Sequence, residues 1–217
     1  MNISHHFDDA TLMAYAAGTL PQGMALVVAC HLHWCPECRH RVKQAEAVGG
    51  ALLDNISPVA VSDSALDDIL ASLDEVPAAA PKQVKTSEPN QTELPDPLST
   101  YLNKSLDDLP WKWIGYGMYQ VDLNFGGKGA ARLFKLAPGV SVPHHTHTGN
   151  ELTLILRGSY SDEIGRFRRG DVADLDSDVL HQPIVDTGED CICLIATDAP
   201  LKFTGIMGRL IQPFIGL

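Results

Sequence analysis

The sequence predicts an α + β chain in two parts, a small zinc-bound helical bundle followed by an all-β barrel, and three observations carry that reading. Residues 31–38 read His-Leu-His-Trp-Cys-Pro-Glu-Cys, which places His31, Cys35 and Cys38 in an H-x3-C-x2-C array within a stretch of helical periodicity. Residues 76–97 hold Pro77, Pro81, Pro89, Pro95 and Pro97 among Ala, Lys, Ser, Thr and Glu, a composition that extends a chain but buries no core. From about Leu98 the apolar spacing shortens to alternation, broken by glycine turns. The expected division is therefore 1–75 for the helical domain, 76–97 for a linker and 98–217 for the β domain.

Each helix has a start or stop signal of its own. Asp8-Asp9 opens a first helix through Leu12, Met13 and Ala16, which Gly18 closes. Pro21 suits the first turn of a second, running through Met24, Leu26, Val27 and Val28 to about His33. Pro36 begins a third, with Val42, Ala45, Val48 and Leu52 on one stripe. Ser62 or Asp63 caps a fourth, in which Leu66, Ile69, Leu70 and Leu73 fall at helical spacing. A bundle this small buries little apolar surface, so a metal or a partner is expected to support it.

The β part follows from shorter patterns. Trp111, Trp113, Val121 and Leu123 mark the first strands, with glycines at 115, 117, 126, 127 and 129 between them. Ala131–Leu136 alternates before a Pro138-Gly139 turn, and strands continue at Glu151–Leu156, Arg166–Phe167 and Cys191–Ala196. Many short strands without a strong helix argue for an antiparallel sandwich or barrel.

The histidines concentrate the chemistry. All nine fall within residues 5–40 or 144–181. In the first group, thiolates with an imidazole are the donors of a closed tetrahedral zinc site. With Cys35 capping a helix that starts at Pro36, Cys38 lies one turn on and both sulfurs can face one ion. A fourth ligand is needed, and His5 and His6 are the nearest candidates. The competing reading is a C-x-x-C redox pair, but that motif normally accompanies a βαβ pattern, which this segment lacks. In the second group, His145 and His147 share one face of a strand and His144 points the other way. Glu151 follows a turn at Gly149, and His181 arrives from a later strand. Three imidazoles and a carboxylate suit zinc, iron, manganese or nickel.

Gly139-x5-His145-x-His147-x3-Glu151-x6-Gly158 closely resembles the first motif of the cupin family, and Gly165, Gly170 and His181 resemble its second more loosely. The resemblance implies a jelly-roll barrel and a metal at His145, His147, Glu151 and His181. The helical half resembles the zinc-containing anti-sigma factors, in which His6 takes the fourth zinc position beside His31, Cys35 and Cys38. Both halves in this order resemble the ChrR family. Membership implies a cytoplasmic anti-sigma factor that binds and inhibits an extracytoplasmic-function sigma factor. It also implies release on oxidative stress, by singlet oxygen or related oxidants, sensed through the cupin domain. Two cofactors are then expected: Zn2+ in the N-terminal domain and a second divalent metal in the cupin, with Zn2+ ahead of iron, manganese or nickel.

Charge agrees with such a partner. Net charge is -11, and residues 1–80 carry three basic and ten acidic side chains. A phosphate backbone would repel this half, which disfavours a DNA-binding zinc regulator, whereas a basic protein surface suits it. The chain has no charged-then-apolar leader and no apolar run long enough to span a bilayer. Its five cysteines form no disulfide framework, as expected in a reducing cytoplasm. The alternative is a metal-dependent cupin dioxygenase or isomerase with a helical oligomerisation domain. No further acid–base or anchor cluster defines a substrate, so no catalytic residue is expected. Cys191 and Cys193 share a strand face and read first as core packing, second as an oxidisable pair; Cys30 reads as helix packing.

Overall fold

The computed structural model describes residues 2–75, 93–125, 130–147, 149–177, 179–199 and 201–203. Four helices lie where the capping signals place them: α1 Asp9–Ala16, α2 Gln22–Trp34, α3 Pro36–Asp54 and α4 Ala65–Glu75. The Asp8 carboxylate accepts the Thr11 N–H at 2.6 Å, capping α1, and Gly18 follows its end at φ +68°, a conformation that costs other residues free energy. A fifth helix, α5 Asp96–Leu102, occupies positions read as the end of the linker and the start of the β domain. Pro97 suits its first turn, and burial of Leu94 and Leu98 fixes a segment whose composition alone is linker-like. Most of the expected linker, residues 76–92, lies outside the described residues.

Eleven strands follow among the described residues: β1 Lys112–Gly115, β2 Met118–Leu123, β3 Ala130–Leu136, β4 His145–His147, β5 Glu151–Arg157, β6 Ser159–Ser161, β7 Arg166–Arg168, β8 Val172–Leu175, β9 Ile184–Val185, β10 Cys191–Thr197 and β11 Leu201–Phe203. A six-stranded sheet runs β1-β2-β3-β10-β5-β8, joined by a three-stranded β7-β6-β9 and a two-stranded β11-β4 sheet. Every pairing within them is antiparallel. Strands β6, β8, β9 and β11 are too short or too mixed in polarity to stand out in the sequence.

The large sheet is buried on both faces, as strand alternation makes visible. On one face, Phe134, Ile155, Ala173, Leu175, Cys191 and Cys193 pack with Tyr160, Phe167 and Val185 of the small sheet. On the other, Leu133, Leu152, Leu154, Leu156, Ile192, Leu194 and Ala196 join Met24, Val27, Val28 and Cys30 of α2 and Leu98 of α5 in a second cluster. The helical residues that a free bundle would leave half-covered are thus buried on the sheet. At about 1.5–3 kcal/mol per buried large aliphatic side chain, this shared core is a major part of the stability. By backbone contacts, residues Met1–Ala47 and Glu93–Leu217 form one compact unit and Val48–Thr92 a second. The division at 1–75, 76–97 and 98–217 concerns separable folding pieces, and remains a proposal.

Gly23 sets how closely α2 approaches the sheet. A Cβ there would lie 2.9 Å from the Ala131 Cβ and 3.7 Å from the Ala196 Cβ. Gly23→Val is expected to push the helix outward and cost about 1–3 kcal/mol, read as a lowered urea midpoint; an unchanged midpoint would contradict this packing.

Candidate metal centres

In the N-terminal centre, the end of α2 supplies His31, the following residue is Cys35, and the first turn of α3 supplies Cys38. Cys35 is the extended residue between the two helices, with its N–H bonded to the His31 carbonyl, and its sulfur accepts the Cys38 N–H at 3.4 Å. His6 comes from the extended segment before α1. Its Nδ1 is 3.3 Å from the Cys35 Sγ and 3.6 Å from the Cys38 Sγ, and the His31 Nε2 is 3.3 Å from the Cys38 Sγ. All four donor atoms lie within 4.8 Å of one another. Nitrogen–sulfur edges of a tetrahedral zinc site are about 3.5 Å, given Zn–S near 2.3 Å and Zn–N near 2.05 Å.

The surrounding groups orient the rings. The His31 Nδ1 donates to the Gly170 carbonyl at 2.9 Å, which leaves the Nε2 lone pair for the centre. The far nitrogen of His6 lies 3.4 Å from a Glu37 carboxylate oxygen. Burial pushes the His31 pKa down to about 4 and, with the Cys35 sulfur beside it, lifts Cys38 to about 12. Two buried sulfurs and an imidazole that resists protonation fit a divalent cation, which binds the deprotonated donors. His5, the other candidate, lies elsewhere: its ring packs on Phe167 with centroids 4.3 Å apart. His33 faces Asp96 at 3.7 Å, and exposed His40 stands outside the cluster.

In the second centre, His145 and His181 are opposed across an isolated antiparallel bridge, their backbones exchanging N–H···O bonds of 3.3 and 3.4 Å. Glu151 opens β5, and its donor oxygen joins theirs within 4.8 Å. All three are buried. The His145 Nδ1 donates to the Pro143 carbonyl at 2.9 Å. The His181 Nδ1 donates to Asp162 Oδ2 at 2.9 Å, an ion-pair geometry with both side chains buried. Burial raises the Asp162 pKa, but hydrogen bonds from His181 and from the N–H groups of Ile164 and Gly165 outweigh it and hold the carboxylate ionised. Both Nδ1 protons are therefore committed outward, and the two Nε2 atoms face each other at 3.0 Å. Burial and the neighbouring His181 lower the His145 pKa to about 4, so the His145 Nε2 keeps its lone pair near neutral pH. Two converging lone pairs beside a carboxylate form a cation site. Burial raises the Glu151 pKa against the attraction of His181 and a 3.0 Å hydrogen bond from Thr153, which a bound cation would offset. His147 lies on β4 with its side chain outside the described residues. His144 turns away to Glu163 at 3.3 Å.

Cys191 and Cys193 pack in the core between the sheets. Burial pushes Cys191 up to about 12 and Cys193 well above the ordinary range, which disfavours the reactive thiolate and favours the core-packing account. Cys30, also raised to about 12 by burial, sits in the helix–sheet core.

The comparisons bear on the fold and on the N-terminal centre. The ChrR cupin-like domain family matches residues 102–200, and a zinc-finger family matches residues 9–39, which include His31, Cys35 and Cys38. The anti-sigma-E factor ChrR of Cereibacter sphaeroides is 44% identical over 214 residues, 99% of each chain. The chain belongs to the ChrR family. The crystal structure of Rhodobacter sphaeroides SigE in complex with the anti-sigma ChrR is similar as well. Identity there is 42% over 91% of this chain and 100% of that chain, with a TM-score of 0.79. The helical region followed by a cupin is the fold of this ChrR-family chain, and its N-terminal cluster fits Zn2+. No helix among the described residues is long and apolar enough to cross a membrane.

Asp162, Glu37 and Asp171 carry no motif signal, because each acts through a contact made only on folding. The pH response of the metal-stripped chain follows from the buried rings. His31 and His145 titrate near 4 when folded and near 6.5 when unfolded, so the unfolded chain takes up protons first as pH falls. Their contribution is complete above about 6.5 and is lost towards 4, at about 1.4 kcal/mol per unit for each ring. Urea midpoints of chelator-treated protein should fall across that window; a flat profile would contradict the burial.

Proposed function

We propose that this chain is a cytoplasmic anti-sigma factor. Residues 1–75 bind and inhibit an extracytoplasmic-function sigma factor, and residues 98–217 act as the sensor. Zn2+ is held by His6, His31, Cys35 and Cys38, and a second divalent metal by His145, His147, Glu151 and His181, with zinc ahead of iron, manganese or nickel. The printed name of the 44%-identical relative supports the reading. The observation that carries it is the exposed stripe of α4. Leu66, Ile69, Leu70 and Leu73 are 52–67% exposed along one face of the helix, beside Asp67 and Asp68. Val48, Leu52, Leu53 and Ile56 of the same compact unit are exposed too. Such a concentration of large apolar side chains marks an interaction surface, here an amphipathic helix that fits a groove, with acidic flanks suited to a basic protein.

In this reading the thiolate centre is structural, adding its binding free energy to folding. Its cysteines are shielded from the signal, which is received at the cupin. No catalytic role is assigned in this reading, in which the buried donors at His145, Glu151 and His181 serve to hold a metal.

Leu70→Asp is expected to weaken sigma-factor binding at least about tenfold in an equilibrium titration, while thermal unfolding stays within about 1 °C because the residue is exposed. Undiminished binding would refute the α4 assignment. His147→Ala with Glu151→Ala should leave inhibition of transcription in vitro intact and abolish release by singlet oxygen in cells; a normal response would remove the cupin from the sensing role.

A further inference from the structure

The extended segment before α1 lies along the edge of the β-rich part and is fixed there by buried polar contacts. The Asp171 side chain is fully buried. Its Oδ1 accepts the N–H groups of Ser4 at 2.7 Å and His5 at 3.1 Å, and the Ser4 hydroxyl at 3.3 Å. Its Oδ2 accepts the Arg168 N–H at 2.9 Å, so the carboxylate also closes the β7–β8 turn. Beyond His6, Asp174 Oδ2 accepts the Asp8 N–H at 3.1 Å. His6 is thereby anchored through the main chain on both sides by β8 and the turn before it. The same turn presents the Gly170 carbonyl to the His31 Nδ1 at 2.9 Å, and Gly170 holds φ +91°, which glycine tolerates without strain.

One short turn of the β-rich part therefore fixes both imidazoles of the thiolate centre. We propose that the Gly170–Asp171 turn is the outer shell of the N-terminal zinc centre, with Asp171 a positioning residue for His6 and the Gly170 carbonyl one for His31. The inference rests on the zinc reading above. Retention of that zinc is then a property of the whole chain: the helices supply the sulfurs, and the cupin fixes where the nitrogens stand. The thiolates come from one helix–helix junction and keep their spacing without the turn. The imidazoles come from segments 25 residues apart in sequence, at 6 and 31: α2 carries His31 beside the cysteines, Arg41 of α3 donates to the Phe7 carbonyl next to His6 at 2.8 Å, and the turn adds an anchor to each of the two.

The test uses the full-length chain loaded with Co2+. Among the described residues the N-terminal cluster contains sulfur and the cupin cluster does not, so the thiolate-to-cobalt charge-transfer band reports the former. Asp171→Asn removes the charge and sets an amide N–H2 against backbone donors. Ser4→Pro removes one main-chain donor and the hydroxyl from the other side and leaves the barrel residues untouched, so it decides the matter should Asp171→Asn fail to fold. In both, EDTA is expected to extract the sulfur-bound cobalt at least about tenfold faster than from wild type, the range typical of lost outer-shell partners. The d–d bands should weaken as a nitrogen ligand withdraws, measured well below the melting temperature of each variant. A sulfur–cobalt band in wild type, with extraction from the folded variants within twofold of it and unchanged d–d bands, overturns the inference alone. A wild-type chain with no such band overturns the zinc reading and the inference with it.

Discussion

The large sheet has two apolar faces, and the rest of the molecule is arranged to cover them. Strand β10 shows why: Cys191 and Cys193 point to the small sheets, Ile192, Leu194 and Ala196 to α2. Uncovered, the second face would expose a run of Leu, Ile and Ala larger than a free domain tolerates. The helical region has the complementary need, being too short to enclose Met24, Val27 and Val28 by itself. A common hydrophobic core meets both needs. It also places the junction of α2 and α3, with its thiolates, against the β7–β8 turn.

The two centres follow the same design from different backbones. In each, a histidine donates one ring N–H to an acceptor that cannot donate back, the Gly170 carbonyl for His31 and the Pro143 carbonyl or Asp162 carboxylate for His145 and His181. That fixes the tautomer and turns the other nitrogen inward. Burial then disfavours protonation of His31 and His145, keeping a lone pair ready for a cation. The ligands differ in softness: thiolates with imidazoles in the helices, imidazoles with a carboxylate in the barrel. The first set suits a closed structural site and the second a site open to other metals, which matches a division between holding a fold together and receiving a signal.

Under the proposed sensing role, the two centres are joined by a short route through the structure. Glu151 opens β5, which pairs with β8 through Glu151–Leu175 and Leu154–Val172, and β8 with its preceding turn holds the segment around His6. Contiguity of this kind is a physical connection and not yet a coupling. It joins Glu151 to His6, 145 positions apart in sequence, without passing through a thiol.

Much was legible in the sequence because the residues concerned act through local geometry. Caps and prolines marked α1 to α4, and the x3 and x2 spacings grouped His31, Cys35 and Cys38 around one helix junction. The spacing of His145 and Glu151 did the same on a strand and its turn. The choice of His6 over His5 came from family resemblance, since two adjacent histidines before a helix carry no periodicity to separate them. Helix α5 was missed because Leu94 and Leu98 gain their role only by burial against residues far along the chain. The sequence determined which donors exist and which neighbours share a helix end or strand face, since those relations repeat every few residues. Tertiary structure alone decided that the helices finish the sheet's core, that Asp162 turns His181, and that Asp171 fixes the segment bearing His6. Each of those is a contact between segments many positions apart, where desolvation and directional hydrogen bonds, not local periodicity, select the partner.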